Sequence, residues 1–151
     1  MPVSRAMRRL LQVLEIQEEE CRAAMELARA EFERLQQALT QSRERERGGR
    51  RLVAASAATG EVTDRIAGLE ETRAGTRVAR ALTPRIVEAD EVVNERRSEF
   101  LGKRIERLQT ETLIKEAEAQ DRIEAERSAQ RELDSWFLNR RDTSRKKPRE
   151  E

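Results

Sequence analysis

The sequence predicts an all-α protein, a long antiparallel two-helix coiled-coil hairpin whose middle segment is broken and contains glycine. Leu, Ile, Val and Phe number 31 of 151 residues, about a fifth of the chain, which is close to the lower limit for a compact globular core. The 31 basic and 30 acidic side chains nearly cancel, whereas disorder is usually accompanied by a strong net charge. A coiled coil fits both observations, because it needs only a narrow apolar seam.

The composition also excludes several kinds of function. The single cysteine, Cys21, cannot form an internal disulfide, and without histidine the chain lacks a common zinc ligand and the commonest general base. We therefore expect no enzyme activity, no catalytic residues, no metal, no cofactor and no small-molecule substrate. No apolar run approaches the roughly 20 residues that span a bilayer, so we expect a cytoplasmic protein.

The first helix is predicted over residues 4–47. Ten positions spaced alternately four and three residues apart form a heptad seam, and all but Glu18 carry apolar or small side chains. The seam consists of Met7, Leu11, Leu14, Glu18, Cys21, Met25, Ala28, Phe32, Leu35 and Leu39. Gly48 and Gly49 are expected to end this helix.

A connector with a short helical segment is predicted over residues 48–83. Small residues dominate its first part, and Gly68 and Gly75 weaken the helical pattern in its second part. Thr83 and Pro84 are typical of a helix start, and they also fit a kink inside a longer helix.

The long second helix is predicted over residues 84–139, and a basic disordered tail over residues 140–151. The seam of this helix is expected to shift phase after Val93. It runs through Ile86, Ala89, Val93, Leu101, Ile105, Leu108 and Thr112 and continues less regularly through Ala119, Ile123, Ala129, Leu133 and Trp136. The two seams bury each other most simply in a hairpin, whereas a parallel dimer would give the glycine-containing middle no structural role.

The last turns of the second helix contain an unusual cluster of large apolar residues. The only tryptophan, Trp136, adjoins Phe137, and Leu133 and Leu138 lie on either side. Leu133 and Trp136 continue the seam and could lock onto the first helix. Phe137 and Leu138 lie off that line, and exposed aromatic residues often mark partner contacts. A structural lock and a partner-binding site remain equally open.

Two features of the chain carry a family resemblance. The first is the layout of an N-terminal heptad helix, a glycine-broken middle and a long second helix. The second is the closing segment 130–141, Gln-Arg-Glu-Leu-Asp-Ser-Trp-Phe-Leu-Asn-Arg-Arg. With these features the chain resembles the FliJ/YscO family, the central stalk proteins of bacterial type III secretion and flagellar export.

The resemblance implies a stalk that inserts into the secretion ATPase hexamer, couples it to an export gate protein and escorts secretion chaperones. Such a protein lies at the cytoplasmic face of the inner membrane. Its ATPase end would comprise Leu10, Leu14, Leu133, Trp136, Phe137 and Leu138. Its gate end would comprise Arg47, Arg50 and Arg51 at the hairpin tip.

The sequence also leaves two other functions open. The chain fits a generic coiled-coil adaptor or homodimer that is unrelated to secretion. A basic-tailed nucleic-acid-binding protein is disfavoured, because acidic residues are interleaved with the 27 arginines and 4 lysines, whereas nucleic-acid binders segregate positive charge onto one face.

Overall fold

The computed structural model describes the backbone of residues 5–145 and the side chains of residues 5–141. Two helices contain all but two of these residues: α1 spans Arg5–Thr59 and α2 spans Val62–Arg145. The helices pack against each other as an all-α helical hairpin, which confirms the predicted fold class.

Gly60 and Glu61 make the turn between the helices. Gly60 has a φ of 74°, a left-handed conformation that glycine adopts readily because it has no Cβ. Its amide donates a hydrogen bond of 2.8 Å to the Ser56 carbonyl oxygen and so closes the last turn of α1. Asp64 lies in the first turn of α2, where its carboxylate complements the positive end of the helix dipole.

The predicted connector is wrong over residues 48–59, which continue α1 to the turn. The helical segment predicted in the second part of 48–83 is present and forms the start of α2. α1 continues through Gly48 and Gly49, and α2 continues through Pro84. A proline in a helix interior typically costs about 3 kcal/mol, and a glycine about 1 kcal/mol relative to alanine. Tertiary packing therefore outweighs local propensity here.

The heptad seam of α1 continues beyond Leu39 at the same spacing, with small or polar residues at every position except Val53. These residues are Ser42, Glu46, Gly49, Val53 and Ser56. Ser42 and Ser56 are buried, and their hydroxyls donate to carbonyl oxygens three residues earlier in α1, at 2.9 and 2.7 Å. Because these hydroxyls are satisfied within their own helix, the interface needs no polar partner from α2 at these positions.

Glycine brings the two helix backbones into direct contact near the turn. A Cβ on Gly49 would lie 2.6 Å from the Gly68 carbonyl oxygen, and a Cβ on Gly75 would lie 2.6 Å from the Ser42 carbonyl oxygen. Both distances are too short for a carbon and an oxygen that are not bonded. At Gly48, by contrast, a Cβ would meet open space.

The hairpin divides into two compact units. Unit 1 comprises Met1–Glu15 and Ile105–Glu151, and unit 2 comprises Ile16–Arg104. The buried apolar residues are Leu14 and Ile114 in unit 1 and Leu35, Leu82 and Phe100 in unit 2. In unit 2 the Arg22 guanidinium lies 5.6 Å from the centroid of the Phe100 ring, so a cation–π contact adds to the packing.

α2 keeps a single phase, so the predicted phase shift after Val93 is wrong. Its packed seam continues through Phe100, Lys103, Arg107, Thr110, Ile114, Ala117 and Asp121, all buried or half-buried. The residues that were expected in the seam, Leu101, Ile105 and Leu108, are exposed instead. Long polar side chains can cover an interface with their aliphatic stems while their charged ends reach water, and hydrophobicity alone does not reveal this arrangement.

The predicted disordered tail is wrong for residues 140–145, which continue α2 to Arg145. Arg140 and Arg141 lie near the end of the helix, where positive charge complements the helix dipole and favours continuation. Residues 146–151 lie outside the described part of the chain, as does the predicted start of the first helix at residue 4.

An ion pair between Arg45 and Glu71 joins the two helices in unit 2. The Arg45 Nη2 donates to the Glu71 Oε1 at 2.9 Å, and the Nε donates to the other carboxylate oxygen. This hydrogen bonding lowers the pKa of Glu71 below its ordinary value.

We expect the melting temperature of the protein to fall as the pH drops below the ordinary glutamate range. A carboxyl group with a lowered pKa in the folded state contributes stability above its unfolded pKa and loses it as the pH falls through the folded pKa. In Glu71→Gln this part of the acid-induced decrease should be missing. Thermal melts of both proteins at neutral and acidic pH measure it, and equal decreases would show that the pair contributes nothing. The effect should be small, because exposed ion pairs are screened by solvent.

Candidate partner-binding end of α2

The last part of α2 within unit 1 is not covered by the described residues of α1. Every side chain from residue 122 to residue 141 is exposed. The Arg8 Nη2 of α1 contacts the Glu118 Oε1 of α2 at 3.4 Å, and α1 is described only from Arg5 onward. α2 therefore extends past Arg5, the first described residue of α1, and its side chains are exposed from residue 122 to residue 141.

The four large apolar residues of the sequence cluster lie on this uncovered part of α2. Leu133, Trp136, Phe137 and Leu138 are each more than half exposed. Leu133 and Trp136 therefore do not form the lock onto the first helix that their seam spacing had left open. Apolar side chains of this size are normally buried, so their exposure together marks a surface that a partner would cover.

The aromatic pair has a defined geometry. The rings of Trp136 and Phe137 are 5.1 Å apart between centroids and nearly perpendicular, at 78°, which is a favourable edge-to-face arrangement. The guanidinium of Arg140, one helical turn further on, lies 5.1 Å from the centroid of the Trp136 ring. With these contacts in place, about half of Trp136 remains accessible.

The two α1 residues assigned to the same end have different environments. Leu14 is buried in unit 1 and supports the helix pair. Leu10 is half-exposed and lies one helical turn before Leu14. Only Leu10 of the two can therefore contact a partner without opening the hairpin.

The three arginines assigned to the hairpin tip are exposed on α1 in unit 2. The turn lies at Gly60, so Arg47, Arg50 and Arg51 precede it by nine to thirteen residues and do not form the tip itself. The Arg50 Nη2 donates to the Glu46 Oε1 at 2.5 Å. The helix continues through Gly48 and Gly49, and this continuation moves the tip away from the predicted position.

A second exposed apolar surface lies on α2 in unit 1, outside the residues predicted to bind partners. Ile105, Leu108, Thr112 and Leu113 are all exposed, and with Gln109 and Glu116 they line a shallow groove. The sequence carries a signal for this surface, because Ile105, Leu108 and Thr112 follow heptad spacing, but that spacing also predicts an interface with the first helix.

Among the described residues, no group of three or more Cys, Asp or Glu side chains is arranged to hold a metal ion. Over the same residues, neither helix contains an apolar stretch long enough to cross a bilayer. The comparisons with known proteins give no further assignment: no family model, no curated protein and no solved structure matches this chain.

Proposed function

We propose that the chain is the non-enzymatic central stalk of a type III secretion apparatus, a cytoplasmic protein that works at the inner-membrane face. In this proposal unit 1 inserts into the secretion ATPase hexamer. The observation that carries the proposal is the uncovered end of α2, where Leu133, Trp136, Phe137 and Leu138 are exposed together.

The chemistry of this end suits a protein partner. Trp is among the residues most enriched in binding hot spots, and Arg140 beside it adds a cation that can contact an acidic rim. The rest of the helix surface alternates acidic and basic residues, which form many short ion pairs within each helix. A mixed-charge surface of this kind favours many weak and replaceable contacts within a ring over one tight interface.

The same proposal assigns the export gate protein to unit 2. The exposed arginines near the turn, Arg47, Arg50 and Arg51, would contact acidic groups of that partner. A generic adaptor with no link to secretion would use the same aromatic end for a different protein, so the identity of the partner is what the experiment has to establish.

Substituting both Phe137 and Leu138 with alanine should weaken ATPase binding without unfolding the chain. Both side chains are exposed and lie outside the buried residues of unit 1, so we expect unchanged helicity and an unchanged melting temperature. Binding should weaken at least about tenfold, the factor that corresponds to 1.4 kcal/mol. Circular dichroism, pull-down of the cognate secretion ATPase and its turnover rate measure the three quantities.

The matched control is Leu27→Ala, which truncates an exposed leucine of α1 in unit 2. It should bind the ATPase like the parent chain, and the parent chain alone should not hydrolyse ATP. A Phe137 and Leu138 double variant that folds and still stimulates the ATPase would refute this binding site. A parent chain that neither binds nor stimulates the ATPase would refute the stalk function and leave the generic adaptor.

A further inference from the structure

The outer face of α2 in unit 1 is more apolar than the face that packs on α1. The packed face includes Arg107, Thr110, Ala117 and Asp121 around the buried Ile114. The outer face carries Ile105, Leu108, Thr112 and Leu113, all exposed. An amphipathic helix normally turns its apolar side inward, so this reversal indicates a second interface.

The outer face continues at heptad spacing into the uncovered end of α2. Ten positions alternate steps of three and four residues over about four and a half heptads; two large apolar residues lie at each end of this line, and small, polar or charged residues occupy its centre. They are Ile105, Leu108, Thr112, Lys115, Ala119, Arg122, Glu126, Ala129, Leu133 and Trp136. At about 100° per residue, this line lies roughly 140° around the helix from the packed seam, so an occupant need not displace α1.

We propose that two copies of this chain associate through this outer face, with their α2 helices antiparallel. When the two copies run in opposite directions, the ten positions of one copy lie opposite complementary residues of the other. Ile105 of one copy then lies opposite Trp136 of the other, and Leu108 lies opposite Leu133. Each of these apolar pairs occurs twice in the dimer, because the interface is two-fold symmetric.

Charge selects the antiparallel arrangement over the parallel one. In the antiparallel alignment Lys115 lies opposite Glu126 of the second copy, and the small Ala119 lies opposite Arg122. In a parallel dimer in register, Lys115, Arg122 and Glu126 would each face the same residue of the other copy. Like charges at seam positions are destabilising, and the antiparallel alignment places fewer of them directly opposite each other, so charge favours this direction.

This dimer is a property beyond the proposed stalk function and competes with it. Leu133 and Trp136 become covered by the second copy, whereas Leu138 lies off the line and stays accessible. Binding to a partner through the aromatic end therefore requires the dimer to dissociate. Dimerisation needs no ATPase, so it can be tested and refuted separately from the stalk function.

Cysteine crosslinking of the full chain tests the arrangement directly. In a background with Cys21→Ser, the double variant Leu108→Cys with Leu133→Cys should form a disulfide-linked dimer under mild oxidation. The two positions lie 25 residues, or about 38 Å, apart on one helix, far beyond the reach of a disulfide within one chain. Leu108→Cys alone should not crosslink, because position 108 faces position 133 and not its own equivalent.

A charge reversal provides the second test. Lys115→Glu should weaken the dimer at least tenfold in sedimentation velocity, and adding Glu126→Lys to it should restore dimerisation. Both variants lose the ion pair between Lys115 and Glu111, which measures 2.7 Å, so that loss cannot explain the restoration. Leu108→Glu should also prevent dimerisation, whereas Leu27→Glu, at an exposed leucine of unit 2, should not.

Three results would overturn the inference. The parent chain could remain monomeric at all concentrations, Leu108→Cys alone could crosslink as in a parallel dimer, or the double charge reversal could fail to restore association. Capture of a different protein by a chain that remains monomeric would assign the face to that protein. In each case the ATPase assays with the Phe137 and Leu138 variant still decide the stalk function independently.

Discussion

Gly49→Ala is expected to destabilise the hairpin by about 1–3 kcal/mol, the usual cost of an extra methyl group in a fully packed interface. The added Cβ would lie 2.6 Å from the Gly68 carbonyl oxygen and 2.7 Å from the Thr72 backbone nitrogen. Both contacts are backbone atoms, which cannot rotate away as a side chain would. The two helices must separate locally, and the neighbouring contact between Gly75 and Ser42 would open with them.

The adjacent glycine supplies the control. Gly48 has open space around its Cβ position, so Gly48→Ala should gain the helix propensity of alanine and stabilise the chain by up to about 1 kcal/mol. Two neighbouring residues of the same helix would thus give effects of opposite sign in thermal or chemical denaturation. If Gly49→Ala were as stabilising as Gly48→Ala, the close approach of the two backbones would be disproved.

The glycines also show why the middle of the chain was predicted incorrectly. When each is considered alone, Gly48 and Gly49 read as the end of a helix, and Gly68 and Gly75 as weak points within one, because glycine has the lowest helix propensity after proline. The spacing of these glycines, by contrast, indicates helices that pack closely. Ser42, Gly49 and Ser56 recur every seven residues in α1, and Gly68 and Gly75 do so in α2. Small residues at heptad spacing indicate two helices in close contact, and that contact becomes visible only when both segments are aligned.

For the candidate site, the residues could be identified from the sequence, but their burial could not. Trp136 and Phe137 could be identified from the sequence, because they are adjacent aromatic residues in a chain with few aromatics. Whether Trp136 locked onto α1 could not be decided, since that depends on how far α1 reaches along α2. The phase of the α2 interface was also beyond sequence reasoning. Phe100 and Ile114 mark the packed line, but the more continuous apolar pattern of Leu101, Ile105 and Leu108 lies on the outside.

The second large effect is expected at the most deeply buried leucine. Leu35→Ala should destabilise the protein by about 2–5 kcal/mol, because it removes three carbon atoms from a residue that is only 4% exposed and leaves a cavity between the helices. A small domain has a total stability of only about 5–15 kcal/mol, and a hairpin with five buried apolar residues among those described has little in reserve. The variant should therefore lose a large part of its thermal stability.

Leu27→Ala is the matched comparison, since it makes the same chemical change in the same helix at a leucine that is 73% exposed. It should leave the melting temperature nearly unchanged, because little apolar surface is removed from contact. Circular dichroism at 222 nm during heating, with urea denaturation to obtain the free energy of unfolding, measures both variants. Equal losses of stability in the two would mean that the helices do not pack through Leu35. A loss confined to Leu35→Ala would show that α1 packs against α2 through its heptad seam. Gly49, which makes the close backbone contact near the turn, lies on the same seam.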